Sequence, residues 1–349
     1  MAKITLDDLV NIEPIKVSTD AKSASIMILG AVKSGKSTFI HELYGDKVLF
    51  IATERRHNFL AGAKVINISS YAEYLKVMKL IRDPKVQEQY DAVVVDTFTR
   101  LQEWAENYTL AKLGVEELGD VPYGGGHAAF NKEMAKAVEL IEQSGLVPHF
   151  IVHTKTQTKQ VPKAEMPEDE ITDNMTVTTD KKTKQQVYEF NKEVPDLKNA
   201  TFNALNRVCD NILFFDVLVD DNGNEERRIY YRDSVSHTAG SSLKFMPEWT
   251  SLSAKSYLDA FKESVEKEGK ENTTDQPKQK PTDSENSYDF DSIMKEIAEL
   301  GKQLQKDGKA DERQKVIEEV LGKGRKVKDL DESQAEIASV LVDKLKEIA

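Results

Sequence analysis

Residues Gly30-Ala31-Val32-Lys33-Ser34-Gly35-Lys36-Ser37-Thr38 combine glycines, lysines and hydroxyls at a spacing that suits one task, the enclosure of a phosphate chain. Glycine is required where the turn closes and backbone N–H groups approach an anion. Lys36 is placed to reach the β- and γ-phosphates of ATP, Ser37 to ligate Mg2+, and Thr38 to contact the α-phosphate. Such a site also needs a carboxylate on the metal side. Asp96, at the end of Asp91-Ala92-Val93-Val94-Val95-Asp96-Thr97, supplies one, a helix cap being its other use. Thr97 follows Asp96, so the group that deprotonates the attacking water must come from elsewhere. Glu54, after the apolar run ending at Ala52, is the candidate base, with an ion pair to Arg55 or Arg56 as its alternative role. His153, closing His149-Phe150-Ile151-Val152, is placed to sense the γ-phosphate, with Thr154 second; a strand cap is the alternative.

These groups meet only if strands and helices bring them together. Between residues 24 and 245 short apolar runs alternate with amphipathic helical stretches, the pattern of an α/β fold with a mostly parallel sheet flanked by helices. The strand candidates are Ser25–Leu29, Lys47–Ala52, Lys64–Ile68, Ala92–Val95, His149–Val152, Asn211–Val219 and Arg227–Tyr231, the last two read as an antiparallel hairpin at the sheet edge. In such sheets the carboxyl ends of the strands converge on the ligand crevice, which gathers Gly30, Glu54, Asp96 and His153.

Residues 1–23 read as an N-terminal extension and 24–265 as the P-loop domain. Within it, 154–199 is a polar insertion, expected to be a mobile loop with a small hairpin from Met175–Thr179 and Gln186–Phe190. Residues 266–287 carry no aromatic or large aliphatic side chain and are expected to be a disordered linker. Residues 288–349 repeat apolar positions at helical spacing, as at Ile293, Ile297, Leu300 and Leu304, and form a small C-terminal all-α module. A capping box at Ser333 and Glu336 opens its last helix. Its stripes suit a core, or alternatively a partner-binding groove. The chain has 349 residues, a net charge of -12 and a single cysteine, Cys209. No leader or membrane span is visible, so a cytoplasmic location is expected, and the acidity means that any polyanion must be met by a local basic surface.

The order of Glu54, Asp96 and His153 around the P-loop resembles the RecA-like core. More narrowly, Leu-Gly-Ala-Val-Lys-Ser-Gly-Lys-Ser-Thr, Leu-Phe-Ile-Ala-Thr-Glu, Val-Val-Val-Asp-Thr-Phe-Thr-Arg-Leu-Gln-Glu and the His-Thr-Lys strand end resemble phage-encoded nucleotide-binding proteins related to the Sak-type single-strand annealing ATPases. The resemblance implies a DNA-stimulated ATPase that acts on single-stranded DNA in recombination or replication, as a homo-oligomer in the host cytoplasm. It implies DNA-binding loops at Gly114–His127, with Tyr123-Gly124-Gly125-Gly126-His127, and at Thr154–Asn199. There Lys155, Lys159, Lys163, Lys181, Lys182 and Lys184 would meet phosphates, Tyr123 would stack on a base, and Glu165, Glu168, Asp169, Glu170 and Asp173 interrupt the lysines. Solvated loops are the alternative for both segments. It also implies that Arg232 or Lys244 reaches a neighbouring subunit's γ-phosphate. A different reading makes the chain a nucleotide-gated interaction protein whose helical tail recruits a phage or host replication, recombination or packaging partner.

Overall fold

The computed structural model describes residues 10, 17–55, 60–220, 222–269, 273–274, 290–322, 324–331 and 334–349. By its internal contacts the chain divides into two units, one of Glu13–Pro281 and one that includes Thr282–Ala349.

The larger unit is built on apolar runs that become strands, those inside the sheet buried on both faces. Strands β1 (Ile26–Gly30), β2 (Val48–Ala52), β3 (Lys64–Asn67), β4 (Ala92–Asp96) and β5 (Val147–Val152) are parallel where they pair. After β6 (Thr154–Pro162), β7 (Thr176–Thr179) and β8 (Gln186–Pro195) come β9 (Asn211–Val219), β10 (Glu225–Tyr230), β11 (Gly240–Ser241) and β12 (Trp249–Ser251). Among the described residues the main sheet has nine strands in the order β12-β10-β9-β1-β5-β4-β2-β3, with β11 also on β9. The β9–β10 hairpin forms as the sequence predicts, but β10 is not the edge, because β12 pairs antiparallel beyond it.

Alternate residues of each strand feed opposite layers. Ile26, Ile28, Phe50, Val94 and Ile151 pack with Phe39, Ile40 and Leu43 of helix α1 (Lys36–Tyr44) and with Tyr257 and Phe261 of the last helix of this unit. Met27, Leu29, Ile51, Val93, Val95 and Phe150 pack on the other side against helices α2 (Tyr71–Leu80), α4 (Phe98–Leu113), α5 (Gly125–Glu142) and α6 (Asn199–Val208), a short α3 (Pro84–Gln89) lying between α2 and β4 in sequence. Period-two alternation in strands that look uniformly apolar is what sorts the two cores.

The polar insertion departs from expectation. Strands β6, β8 and β7 form a separate three-stranded antiparallel sheet, with Thr154 opposite Pro195 and Pro162 opposite Val187. Cross-strand pairs hold its exposed face, Thr158 donating to Asn191 at 3.1 Å and Gln160 to Glu189 at 2.6 Å. The expected hairpin forms as β7 and β8; the strand the sequence does not announce is β6, polar from Thr154 to Gln160.

Helix α7 (Ala254–Glu268) enters the expected linker, and Thr273–Thr274 pairs in parallel with Val17–Ser18. Positions 270–272 and 275–287, like most of 1–16, lie outside the described residues. The second unit comprises α8 (Phe290–Lys306), α9 (Ala310–Leu321) and α10 (Ala335–Ile348), closed around Ile293, Ile297, Leu304, Ile317, Leu341 and Leu345. Ser333 lies outside the described residues, and Gln334 precedes α10 without a side-chain cap. No described helix is long and apolar enough to cross a membrane.

Candidate functional site

The turn from β1 to α1 needs its glycines. Gly30 has φ +146°, and a Cβ there would lie 2.6 Å from the Phe215 carbonyl oxygen of the neighbouring strand β9. Gly35 has φ +98° and caps α1, so the first free N–H groups of that helix face the crevice. Lys33 also takes a positive φ, 68°. The buried Lys36 ammonium turns back into the loop, donating to the carbonyls of Gly30 at 2.8 Å and Ala31 at 2.6 Å and approaching Ser34 Oγ at 3.4 Å. Burial brings the Lys36 ammonium down to about 8, against the opposing pull of the Asp96 and Glu54 carboxylates.

Across the crevice, Ser37 Oγ donates to Asp96 Oδ2 at 2.6 Å. Strand β2 pairs with β4 so that Ala52 lies opposite Asp96, and this register sets Glu54 beside Thr97. The Thr97 N–H donates to Thr53 Oγ1 at 2.8 Å, and the Thr97 hydroxyl points to Glu54 Oε1 at 3.4 Å. His153 follows β5, which lies between β1 and β4, and its N–H donates to Thr99 Oγ1 at 3.0 Å. A cavity of about 680 Å³ results, lined by Val32, Lys33, Gly35, Lys36, Ser37, Thr38, Glu54, Arg55, Leu60, Asp96, Thr97, His153 and Arg227. Its size and donors suit a nucleoside triphosphate. Gly30, Ala31 and Ser34 are not on its wall; they hold Lys36 from within the loop.

Residues 22–243 match the family model described as an AAA domain. This chain belongs to the AAA domain family. It is also 24% identical over 354 residues to the SPbeta prophage-derived uncharacterized protein YorG of Bacillus subtilis (strain 168), a match covering 98% of each chain.

Mg2+ fits the donor set of this AAA domain. A hydroxyl and a carboxylate stand in contact at Ser37 and Asp96, while no group of three or more His, Cys, Asp or Glu able to hold a metal occurs among the described residues. Two hard oxygen ligands completed by water and phosphate are what Mg2+ takes, in contrast to an all-protein cage.

Arg232, expected to reach a neighbouring subunit's nucleotide, has local partners in its own chain. Its Nη2 donates to the carbonyls of Leu243, Lys244 and Met246, the last at 3.0 Å, so this guanidinium ties a loop together and lies off the cavity wall. Lys244 is also off that wall, its ammonium lying 5.5 Å from the Phe245 ring centre. The arginines that do reach the cavity are Arg55 and, on β10, Arg227. Arg227 shares strand parity with Ile229 and Tyr231, both buried on the α1 side, and this alternation was the available signal.

In the two loop segments, Gly125, Gly126 and His127 form the first turn of α5. A Cβ on Gly126 would lie 2.2 Å from the Leu118 carbonyl oxygen. Tyr123, in left-handed backbone at φ 57°, is fully exposed. The six lysines do not act alike. Lys155 pairs with Asp196 at 3.0 Å, Lys163 lies 5.9 Å from the Tyr188 ring centre, and Lys159 faces a hollow shared with Glu165 and Glu170. Lys181, Lys182 and Lys184 lie exposed in the turn between β7 and β8.

Proposed function

We propose that this AAA domain protein binds and hydrolyses ATP with Mg2+ in a RecA-like manner and acts, as a homo-oligomer, on single-stranded DNA in phage recombination or replication. The observation that carries the reading is the convergence of Lys36, Ser37, Asp96, Glu54 and His153 on one cavity at the carboxyl ends of the strands. On binding, Lys36 would exchange the Gly30 and Ala31 carbonyls for phosphate oxygens. Bound through Ser37 and Asp96, Mg2+ would offset phosphate charge. Glu54, oriented by the Thr97 hydroxyl, takes the proton of the water whose oxygen bonds to the γ-phosphorus as the bond to ADP breaks. His153 and Arg227 flank the cavity where charge is lost with the γ-phosphate.

The DNA part of the reading is supported by the exposed Tyr123 and by the lysine turn at the end of the β6–β8 ribbon. The test is phosphate release with and without single-stranded DNA, beside a salt titration of DNA affinity. Stimulation and a salt-sensitive affinity are expected. ATP turnover unaffected by DNA, with no salt-sensitive binding, refutes the DNA assignment and leaves a plain nucleotide hydrolase.

A further inference from the structure

In an acidic chain, four of the six residues from Lys323 to Lys328 are basic. This run lies between α9 and α10, and Arg325 and Lys326 border two hollows at once. The larger, about 580 Å³, has Met294, Ile297, Ile317 and Val327 on its walls and Arg313 and Lys328 beside them. The smaller, about 240 Å³, is walled by Val320, Leu321, Leu330 and Ile337, with Asp329 at its border. Ile337 is an exposed large hydrophobic residue. The Arg313 guanidinium lies over Gly301 of α8, where a Cβ would come within 3.2 Å of its Cζ, so the missing side chain makes room for the charge. Among the described residues no carboxylate forms an ion pair with Arg325, Lys326 or Lys328, whereas Lys344 and Lys346 are paired with Glu319 and Glu296.

We propose that these two hollows are a docking site for a partner's acidic peptide segment, in which carboxylates flanked by large apolar residues meet Arg325 and Lys326 while an apolar residue enters each hollow. Charge complementarity selects the carboxylates, since the cations stand between the hollows. The apolar walls select a peptide over a nucleic-acid backbone, which needs cations and stacking rings, and among the described residues no aromatic side chain lines either hollow. The inference goes beyond the nucleotide reading and stands without it.

The test is selection of a random peptide library on the full chain, followed by anisotropy of the enriched peptides on wild type and on Arg325→Glu/Lys326→Glu. Enriched sequences should be acidic with flanking large apolar residues, and the double variant should weaken them roughly ten- to hundredfold, as loss of closely matched charge pairs does. Retained hydrogen-exchange protection of α10 shows that the variant is folded; if it is not, Ile337→Asp, at the rim of the smaller hollow, replaces it. Enrichment indifferent to these variants, or enrichment of basic peptides, overturns the proposal. So does labelled single-stranded DNA whose binding the same variants abolish, which would make the surface a nucleic-acid site. If acidic peptides bind only after residues 1–12 are deleted, the chain's own N-terminal segment is the occupant and the partner is refuted.

Discussion

Replacing Glu54 with Gln separates binding from chemistry in this site. The amide keeps an oxygen that can accept from the Thr97 hydroxyl, now at 3.4 Å from Oε1, so the side chain should hold its place. What is lost is proton acceptance, which contributes roughly 10²- to 10⁴-fold, or about 3 to 5 kcal/mol of barrier. Binding should change little. With its ammonium at about 8, Lys36 is roughly nine-tenths charged at pH 7, and the Glu54 carboxylate is the smaller of the two charges supporting it. Affinity for ATP, read by a fluorescent analogue, should therefore stay within about threefold while single-turnover phosphate release falls by two orders of magnitude or more. Turnover within threefold of wild type would remove Glu54 from the mechanism. Loss of affinity equal to the loss of turnover would mean that the residue only shapes the cavity.

Arg227→Ala should lower turnover with an unchanged melting temperature, whereas Arg232→Ala, which strips three carbonyls of their donor, should destabilise by about 1–3 kcal/mol and leave activity per folded molecule intact; thermal melts beside kinetics read both. Nucleotide binding at pH 8.5 should take up roughly 0.7 proton as phosphate recharges Lys36, measured by calorimetry in buffers of different ionisation enthalpy, and affinity should weaken above pH 8. His149 is buried neutral, its imidazole held down to about 3 by burial, so its folded value lies below the unfolded one near 6.5. Stability is then lost as pH falls from about 6.5 towards 3, by roughly 2 kcal/mol at pH 5, and His149→Phe should flatten that slope in urea melts at pH 7 and 5. Tyr123→Ala should leave stability unchanged and weaken single-stranded DNA binding by about 1–3 kcal/mol in anisotropy titrations; unchanged affinity would clear Tyr123 of any role there.

The parts legible in the sequence are those set by short-range rules. Ile26–Gly30 runs into the P-loop, and Asp96 ends a continuous apolar strand, so both positions follow from residues that are neighbours in the chain. Glu54 needed one further step, the convergence of strand ends, and the cavity wall includes it. Arg227 was overlooked within Glu225-Glu226-Arg227-Arg228, although its parity with Ile229 and Tyr231 marks which of the two arginines shares their face. His149 was read only as part of an apolar run. Its Nε2 meets the Tyr44 hydroxyl at 2.9 Å, and since that hydroxyl gives its proton to the Lys22 carbonyl, Nε2 is the donor. Sequence spacing carries no trace of a contact between residues so far apart. In the insertion the hairpin of β7 and β8 was legible, whereas β6 was missed because it is polar from Thr154 to Gln160 and leaves no apolar alternation.

The β6–β8 ribbon starts at the residue after His153, on the cavity wall, and it is sewn down where its second strand returns. The Asp196 N–H bonds the His153 carbonyl at 2.8 Å, and Glu193 exchanges backbone bonds with Ser236 and Thr238 at 2.8 and 3.0 Å, in the segment that follows β10 and its Arg227. At about 3.3 Å per residue, the nine residues of β6 make an arm roughly 30 Å long. The first anchor of the arm adjoins His153 on the cavity wall, so the arm has a short side at its root and a long side beyond it. A root tilt of about 10 degrees sweeps the lysine turn through roughly 5 Å, about the spacing of adjacent strands. By that lever ratio, an ångström-scale tilt at the root would be enlarged at Lys181, Lys182 and Lys184.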